Sequence, residues 1–216
     1  MAKVAFLGLG VMGYPMAGHL KNKGGHEVTV YNRNAEKAAK WAAQFGGKTA
    51  ATPKEAAEGQ DFVMMCVGND NDVREVALGA NGAYSGMKKR AVFVDHTTAS
   101  AEIARQLYAE AKKRGFDFVD APVSGGPTGA EAATLAIMAG GSDADIERVR
   151  PVMAQLGQSF THMGGEGAGQ LTKLVNQVIV CTNFAVLAEA LSFAERAGID
   201  AARVPEALSG GYADTP

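Results

Sequence analysis

Apolar residues recur along this chain in two rhythms. In the first, short apolar blocks bounded by Gly, Asn, Asp or Thr stand at 4–7, 28–31, 62–65, 92–95, 116–119 and 135–139. Blocks of that length and flank read as buried strands. Between them the pattern lengthens into helices at 12–23, 35–44, 53–58, 70–78, 99–113 and 144–156, with short strands at 48–50 and 159–162. The helix at 53–58 carries Pro53 in its first turn, where a missing N–H does no harm. Strands that alternate with helices predict a parallel sheet. The expected fold is therefore α/β, a doubly wound, mostly parallel sheet of Rossmann type.

The second rhythm is a single long block at 168–197, predicted as one helix of roughly 45 Å at about 1.5 Å per residue. Leu171, Leu174, Val175, Val178, Ile179, Val180, Cys181, Phe184, Val186 and Leu187 leave it without a polar side. A helix that is apolar all round is expected to be buried. Lys173, Asn176 and Gln177 interrupt its first turns, and positions three and four apart share a face. Another helix begins at 203–208. The division that follows is a dinucleotide-binding domain at 1–163, then a long helix opening an incomplete all-helical domain at 164–216.

The candidate chemistry lies where strands end. GLGVMG, Gly8-Leu9-Gly10-Val11-Met12-Gly13, sits between the first strand and the first helix. That is the context a dinucleotide fingerprint requires. Gly8 permits the turn, Gly10 the approach of a pyrophosphate, and Gly13 close packing of helix on strand. The helix N-terminus then faces the phosphates. A plain tight turn is the alternative. After the second strand comes Tyr31-Asn32-Arg33-Asn34, where an acid would accept from the ribose of NAD. No carboxylate is present, and Arg33 is placed to pair with a 2′-phosphate. NADP is therefore the expected cofactor, with NAD the alternative. The same absence argues against S-adenosylmethionine.

In open sheets of this kind ligands bind beyond the C-terminal strand ends. Three such ends are candidates: 67–69 with Val67, Thr97 with Thr98, and 120–126. Ser124, Gly125 and Gly126 could offer a hydroxyl and successive N–H groups to a carboxylate. An ordinary loop is the alternative. Lys173 is the remaining candidate. Helical lysines are mostly solvated, but this one follows a glycine turn at the start of an apolar rod. Desolvation favours the neutral amine and lowers its pKa toward the range of general acid–base work.

Composition narrows the classes. The chain has 216 residues and a net charge of −2, with no basic stripe to suit nucleic acid. Cys66 and Cys181 both sit in apolar runs and form no disulfide framework. The four histidines show no metal spacing, and His96 is expected to be structural. No secretory leader is evident, and Lys173 and Glu189 interrupt the one long apolar run, so a cytoplasmic protein without a membrane span is expected.

Four motifs in order resemble the β-hydroxyacid dehydrogenase family. They are GLGVMGYPMAGHL at the N-terminus, DHTTAS at 95–100, DAPVSGGPTGAEAATLAIMAGG at 120–141 and GAGQLTKLVNQ at 167–177. That family includes 3-hydroxyisobutyrate dehydrogenase, tartronate semialdehyde reductase and the glyoxylate/succinic semialdehyde reductases, with 6-phosphogluconate dehydrogenase more distant. The resemblance implies hydride transfer between NADP(H) and a small 3-hydroxy acid or semialdehyde. It implies Lys173 as general acid/base and Ser124, Gly125 and Gly126 on the substrate carboxylate. Asn176, with Gln177 beside it, would orient the reacting oxygen, and Thr98 would lie against the cofactor. The Asn-Gln ending is most similar to tartronate semialdehyde reductases, where many members have Asn-Asn. Ala133 stands where many members have Gly.

Members of the family continue into a further all-helical region, whereas this sequence stops at Pro216. Residues that recognise the substrate's side chain are expected beyond it, and a homodimer or homotetramer is expected to cover the apolar rod. Two rival readings are a dinucleotide-binding module without turnover and an imine reductase. Lys173 argues against the second, since that class usually carries another residue there.

Overall fold

A computed structural model of the chain describes residues 1–213. It divides into two compact units, Met1–Lys173 and Leu174–Pro216.

The first unit is built on one sheet. Its strands are β1 (Lys3–Leu7), β2 (Glu27–Tyr31), β3 (Lys48–Thr49), β4 (Phe62–Met65), β5 (Val92–Asp95), β6 (Asp117–Asp120), β7 (Val123–Ser124), β8 (Leu135–Gly140) and β9 (Gly157–Gly164). The order is β3-β2-β1-β4-β5-β6-β8-β7, with β9 beside β8. Neighbours from β3 through β6 run parallel, so their C-terminal ends open on one edge. The sheet reverses at β8, which pairs antiparallel with β6 and β7. The expected doubly wound, mostly parallel sheet is present.

The helices are α1 (Gly13–Asn22), α2 (Ala35–Phe45), α3 (Pro53–Ala57), α4 (Asp70–Leu78), α5 (Ala101–Arg114), α6 (Gly126–Ala132) and α7 (Asp143–Met153). Several begin where a local side chain satisfies an orphan N–H. Asn34 accepts from Lys37, Thr52 from Glu55, Ser100 from Ile103 and Ser142 from Asp145. Helices α2 and α5 stop at glycines in the left-handed conformation, Gly46 and Gly115. Alternate residues of the strands point into two cores. One holds Phe6, Met16, Leu20, Trp41 and Val94; the other holds Leu7, Tyr84, Phe93, Ile103, Phe116 and Phe118. Each such fully buried side chain stabilises by about 1.5–3 kcal/mol over its exposed state.

Two elements differ from the sequence reading. Residues 120–126 are not a plain loop: β7 and then α6 arise there. Pro127 in the first turn and the small residues that follow support the helix. The helix at 99–113 begins at Ala101, with Ser100 as its cap.

α8 (Ala168–Arg196) starts in the first unit and runs through the second, which continues with a 3₁₀ turn, Ala201–Arg203, and α9 (Val204–Leu208). The expectation that this helix is buried is not met. Val178, Phe184 and Phe193 are each about two-thirds exposed. A lone rod cannot cover its own circumference, so an all-round apolar pattern states a need for neighbours. Its most apolar window has a mean hydropathy of 1.6, so by length and composition alone it could cross a membrane. Buried helices of soluble proteins meet the same criterion.

Candidate active site

The glycine turn between β1 and α1 is fixed by its neighbours. Gly8 N donates to Tyr31 O at 2.9 Å and Leu9 N to Asn32 Oδ1 at 2.9 Å. The Asn32 amide in turn donates to Asn34 O at 3.0 Å. Asn32 thus splints the turn to the end of β2. Gly8 has φ 94°, and a Cβ there would stand 2.3 Å from Cys66 O. A Cβ on Gly13 would stand 2.0 Å from Gly8 O, so only glycine lets α1 approach this closely. Gly10 differs: a Cβ there meets no atom within 4 Å. That open side faces where a backbone-held phosphate fits, at a helix N-terminus with orphan N–H groups.

A cavity of about 630 Å³ lies along this turn. Gly8, Leu9, Gly10, Val11, Met12, Gly13, Asn32, Arg33 and Val67 line it, together with Asn34, Lys37, Asp72 and Glu75. Thr98 does not line it, although Thr98 is exposed at the end of β5. Arg33 is 91% exposed and sits 3.8 Å from Asp72. An exposed pair of this kind stabilises by about 0–1 kcal/mol, so a phosphate can displace Asp72 from Arg33. Sequence reasoning missed Lys37, a second cation lining the cavity; its place in the first turn of α2, just after Arg33, was the available signal.

The middle strand ends carry a buried polar layer. Val67 N donates to Thr97 Oγ1 at 3.1 Å, and Thr97 N to Asp95 Oδ1 at 2.9 Å. Burial pushes the Asp95 carboxyl up to about 7. His96 is buried, its Nδ1 2.7 Å from Ala121 O, and burial lowers its pKa to about 4, so it is a neutral structural residue. Burial, aided by Asp95, lifts the Cys66 thiol to about 12, which leaves it without thiolate character. Among the described residues no group of three or more His, Cys, Asp and Glu side chains could hold a metal ion.

Ser124 is half-buried on β7, paired with Ala136 of β8. Gly125 and Gly126 follow at the start of α6, exposed, with φ of 129° and 60°. Lys173 closes the first unit, on the second turn of α8. It is 7% exposed, and desolvation holds its amine below the usual lysine range. Asn176 and Gln177 belong to the second unit, where Asn176 Nδ2 donates to Gln177 Oε1 at 3.0 Å.

Two polar residues that sequence reasoning passed over are buried beside the Lys173 turn. Asp120 accepts from Gly167 N and Gln170 N, both at 2.8 Å. Gln170 bonds the backbone on either side of Thr98, at Thr97 O and Ala99 N. Both stand inside the DAPVSGG and GAGQLTK motifs, but nothing in their spacing shows that they meet.

Comparison with known proteins adds the following. The family described as the NAD binding domain of 6-phosphogluconate dehydrogenase matches residues 3–165. That described as NAD-binding of NADP-dependent 3-hydroxyisobutyrate dehydrogenase matches residues 167–216. An uncharacterized oxidoreductase of Shewanella frigidimarina is 53% identical over 215 residues, covering 100% of this chain and 74% of that protein. The 2-hydroxy-3-oxopropionate reductase of Escherichia coli is 38% identical over 215 residues, covering 99% of this chain and 72% of that one. Among solved structures, Mycobacterium tuberculosis 3-hydroxyisobutyrate dehydrogenase with L-serine superposes with a TM-score of 0.87 at 33% identity, over 100% of this chain and 72% of that one.

Proposed function

The chain belongs to the β-hydroxyacid dehydrogenase family, a group of nicotinamide-dependent oxidoreductases, and on that premise we propose that it reduces a small semialdehyde carboxylate with NADPH. The observation that carries the reading is a buried lysine with a lowered pKa in the same compact unit as a dinucleotide cradle. The residues present fit the cofactor: an open side at Gly10, a helix N-terminus, and Arg33 and Lys37 lining the cavity.

The nicotinamide, when bound, supplies the hydride that reduces the carbonyl carbon. Lys173 Nζ gives the proton to the oxygen that becomes the alkoxide. For that it must start protonated, and its lowered pKa makes the transfer easier near neutral pH. Ser124, Gly125 and Gly126 hold the carboxylate, which fixes the carbonyl's direction. Asn176 and Gln177 steady the reacting oxygen. Thr98 forms a wall for the nicotinamide. Arg33, assisted by Lys37, pairs with the 2′-phosphate and sets the preference over NADH. The same reading holds the protein to be cytoplasmic and homo-oligomeric. The named E. coli relative points to 2-hydroxy-3-oxopropionate as the first substrate to try.

The test is NADPH oxidation with 2-hydroxy-3-oxopropionate and with succinic semialdehyde, repeated with NADH. We expect turnover that favours NADPH and is lost as pH rises through the lysine's lowered pKa. Equal rates with NADH would remove the role given to Arg33. NADPH binding without any turnover would reduce the chain to a binding module.

A further inference from the structure

Four helices are capped by their own neighbours, with Asn34, Thr52, Ser100 and Ser142 each accepting from a residue three positions on. The helix that bears Lys173 is fastened differently. Its cap is Asp120, the last residue of β6, fully buried and distant in sequence. Oδ1 accepts from Gly167 N at 2.8 Å and Oδ2 from Gln170 N at 2.8 Å. Two orphan N–H groups of the helix start are thereby satisfied by a charge of the favourable sign. Gln170, also fully buried, turns its amide away from the helix. Its Nε2 donates to Thr97 O at 2.6 Å and its Oε1 accepts from Ala99 N at 3.0 Å.

The surroundings allow no slack. A Cβ on Gly169 would lie 2.5 Å from Met138 O and 2.9 Å from Asp120 Oδ2. A Cβ on Gly140 would lie 2.5 Å from Asp120 Oδ1. Burying a carboxylate is a costly way to begin a helix that a serine could cap. Its arrangement makes sense where the position of the next turn matters more than the helix itself.

We propose that Asp120 and Gln170 are positioning residues for the reduction, fixing the Lys173 turn against the backbone on both sides of Thr98. Neither touches the substrate. Gln170 sits three residues before Lys173, so loss of its clamp lets the amine drift relative to the strand ends. A displacement of 1 Å at a reacting group lowers turnover on the order of a hundredfold.

The inference rests on Lys173 as the proton donor, and the experiment separates the two. Lys173→Ala, Gln170→Ala, Gln170→Glu and Asp120→Asn are compared by kcat, KM for 2-hydroxy-3-oxopropionate, NADPH Kd and unfolding midpoint. The pH midpoint of Lys173 acylation, followed by peptide mass, reports on the amine even without turnover. We expect Gln170→Ala to lower kcat by about 10–100-fold, with NADPH Kd within about threefold and the acylation midpoint raised toward an ordinary lysine. Gln170→Glu is expected to recover as pH falls, because the introduced carboxyl then regains a proton to donate to Thr97 O. Asp120→Asn, which keeps the shape and one acceptor, should fall between Gln170→Ala and the parent. A purely structural role predicts a lower unfolding midpoint with kcat per folded molecule, KM and the acylation midpoint all unchanged, and that result overturns the proposal. If Lys173→Ala itself keeps full turnover, the proton-donor reading fails and the positioning role falls with it.

Discussion

The glycine cradle and the Lys173 turn are built in opposite ways. The cradle between β1 and α1 is local: its turn is held by Asn32, 23 residues on, and its shape by glycines within the motif itself. The Lys173 turn is held by partners 47, 50, 71 and 73 residues away. The first uses the backbone to receive a group that every dinucleotide shares. The other uses one buried carboxylate at the end of β6, and the helix's own Gln170 against the backbone beyond β5, to hold one amine in place. Binding can therefore be local and general, while chemistry needs coordinates supplied by the whole sheet.

This difference decides what the sequence makes legible. The alternation of apolar blocks and helices predicts a mostly parallel sheet, because its central strands β1, β4, β5 and β6 are buried on both faces. The glycine turn is legible because Gly8, Gly10 and Gly13 stand in one short motif. Asp120 and Gln170 are not, since parallel strands and a distant helix bring them together and no spacing records it. β7 and α6 escape notice because glycine, proline and small residues read equally as loop. The all-round apolar pattern of α8 is legible as a demand for burial, but a pattern cannot say which surface meets it.

The contrast can be tested at its ends. The largest effect on cofactor binding is expected in the cradle from Gly10→Ala. A Cβ there meets no protein atom, so the unfolding midpoint should hold while NADPH affinity falls on the order of a hundredfold, about 2.7 kcal/mol. A midpoint that falls instead would show that the open side serves folding and not a ligand. Arg33→Ala comes next. Fluorescence titration should show NADPH Kd rising about tenfold, about 1.4 kcal/mol, with NADH little changed. Parallel loss for both cofactors would contradict the 2′-phosphate reading.

A smaller effect concerns the buried layer at the middle strand ends. Asp95 in the folded chain holds a proton up to about pH 7, against an ordinary value of 3.8, so its burial lowers stability as pH rises through that window. His96, held near 4 against 6.5, does the reverse: stability is lost as pH falls below 6.5. The two slopes oppose each other in the parent. Asp95→Asn removes the slope that opposes His96, so the gain in unfolding midpoint from pH 5 to pH 7 should widen. A gain that narrows would show that Asp95 is not proton-bound in the folded state.

The smallest effect lies at the end of α6. Ala133 has φ 55°, the left-handed C-cap position at which family members often carry glycine. Relief of that strain, less the extra freedom of glycine in the unfolded chain, should make Ala133→Gly more stable by about 0.5–1 kcal/mol. Calorimetry of the two proteins checks the sign.

The most direct measurement is a single-turnover reaction of 2-hydroxy-3-oxopropionate with the NADPH-saturated chain and with its Lys173→Ala variant, NADPH occupancy being measured in both. The account predicts equal occupancy and a hydride-transfer rate lower in the variant by about 10²–10⁴-fold. Equal rates at equal occupancy would contradict it, and would move the proton donor away from the turn that Asp120 and Gln170 hold.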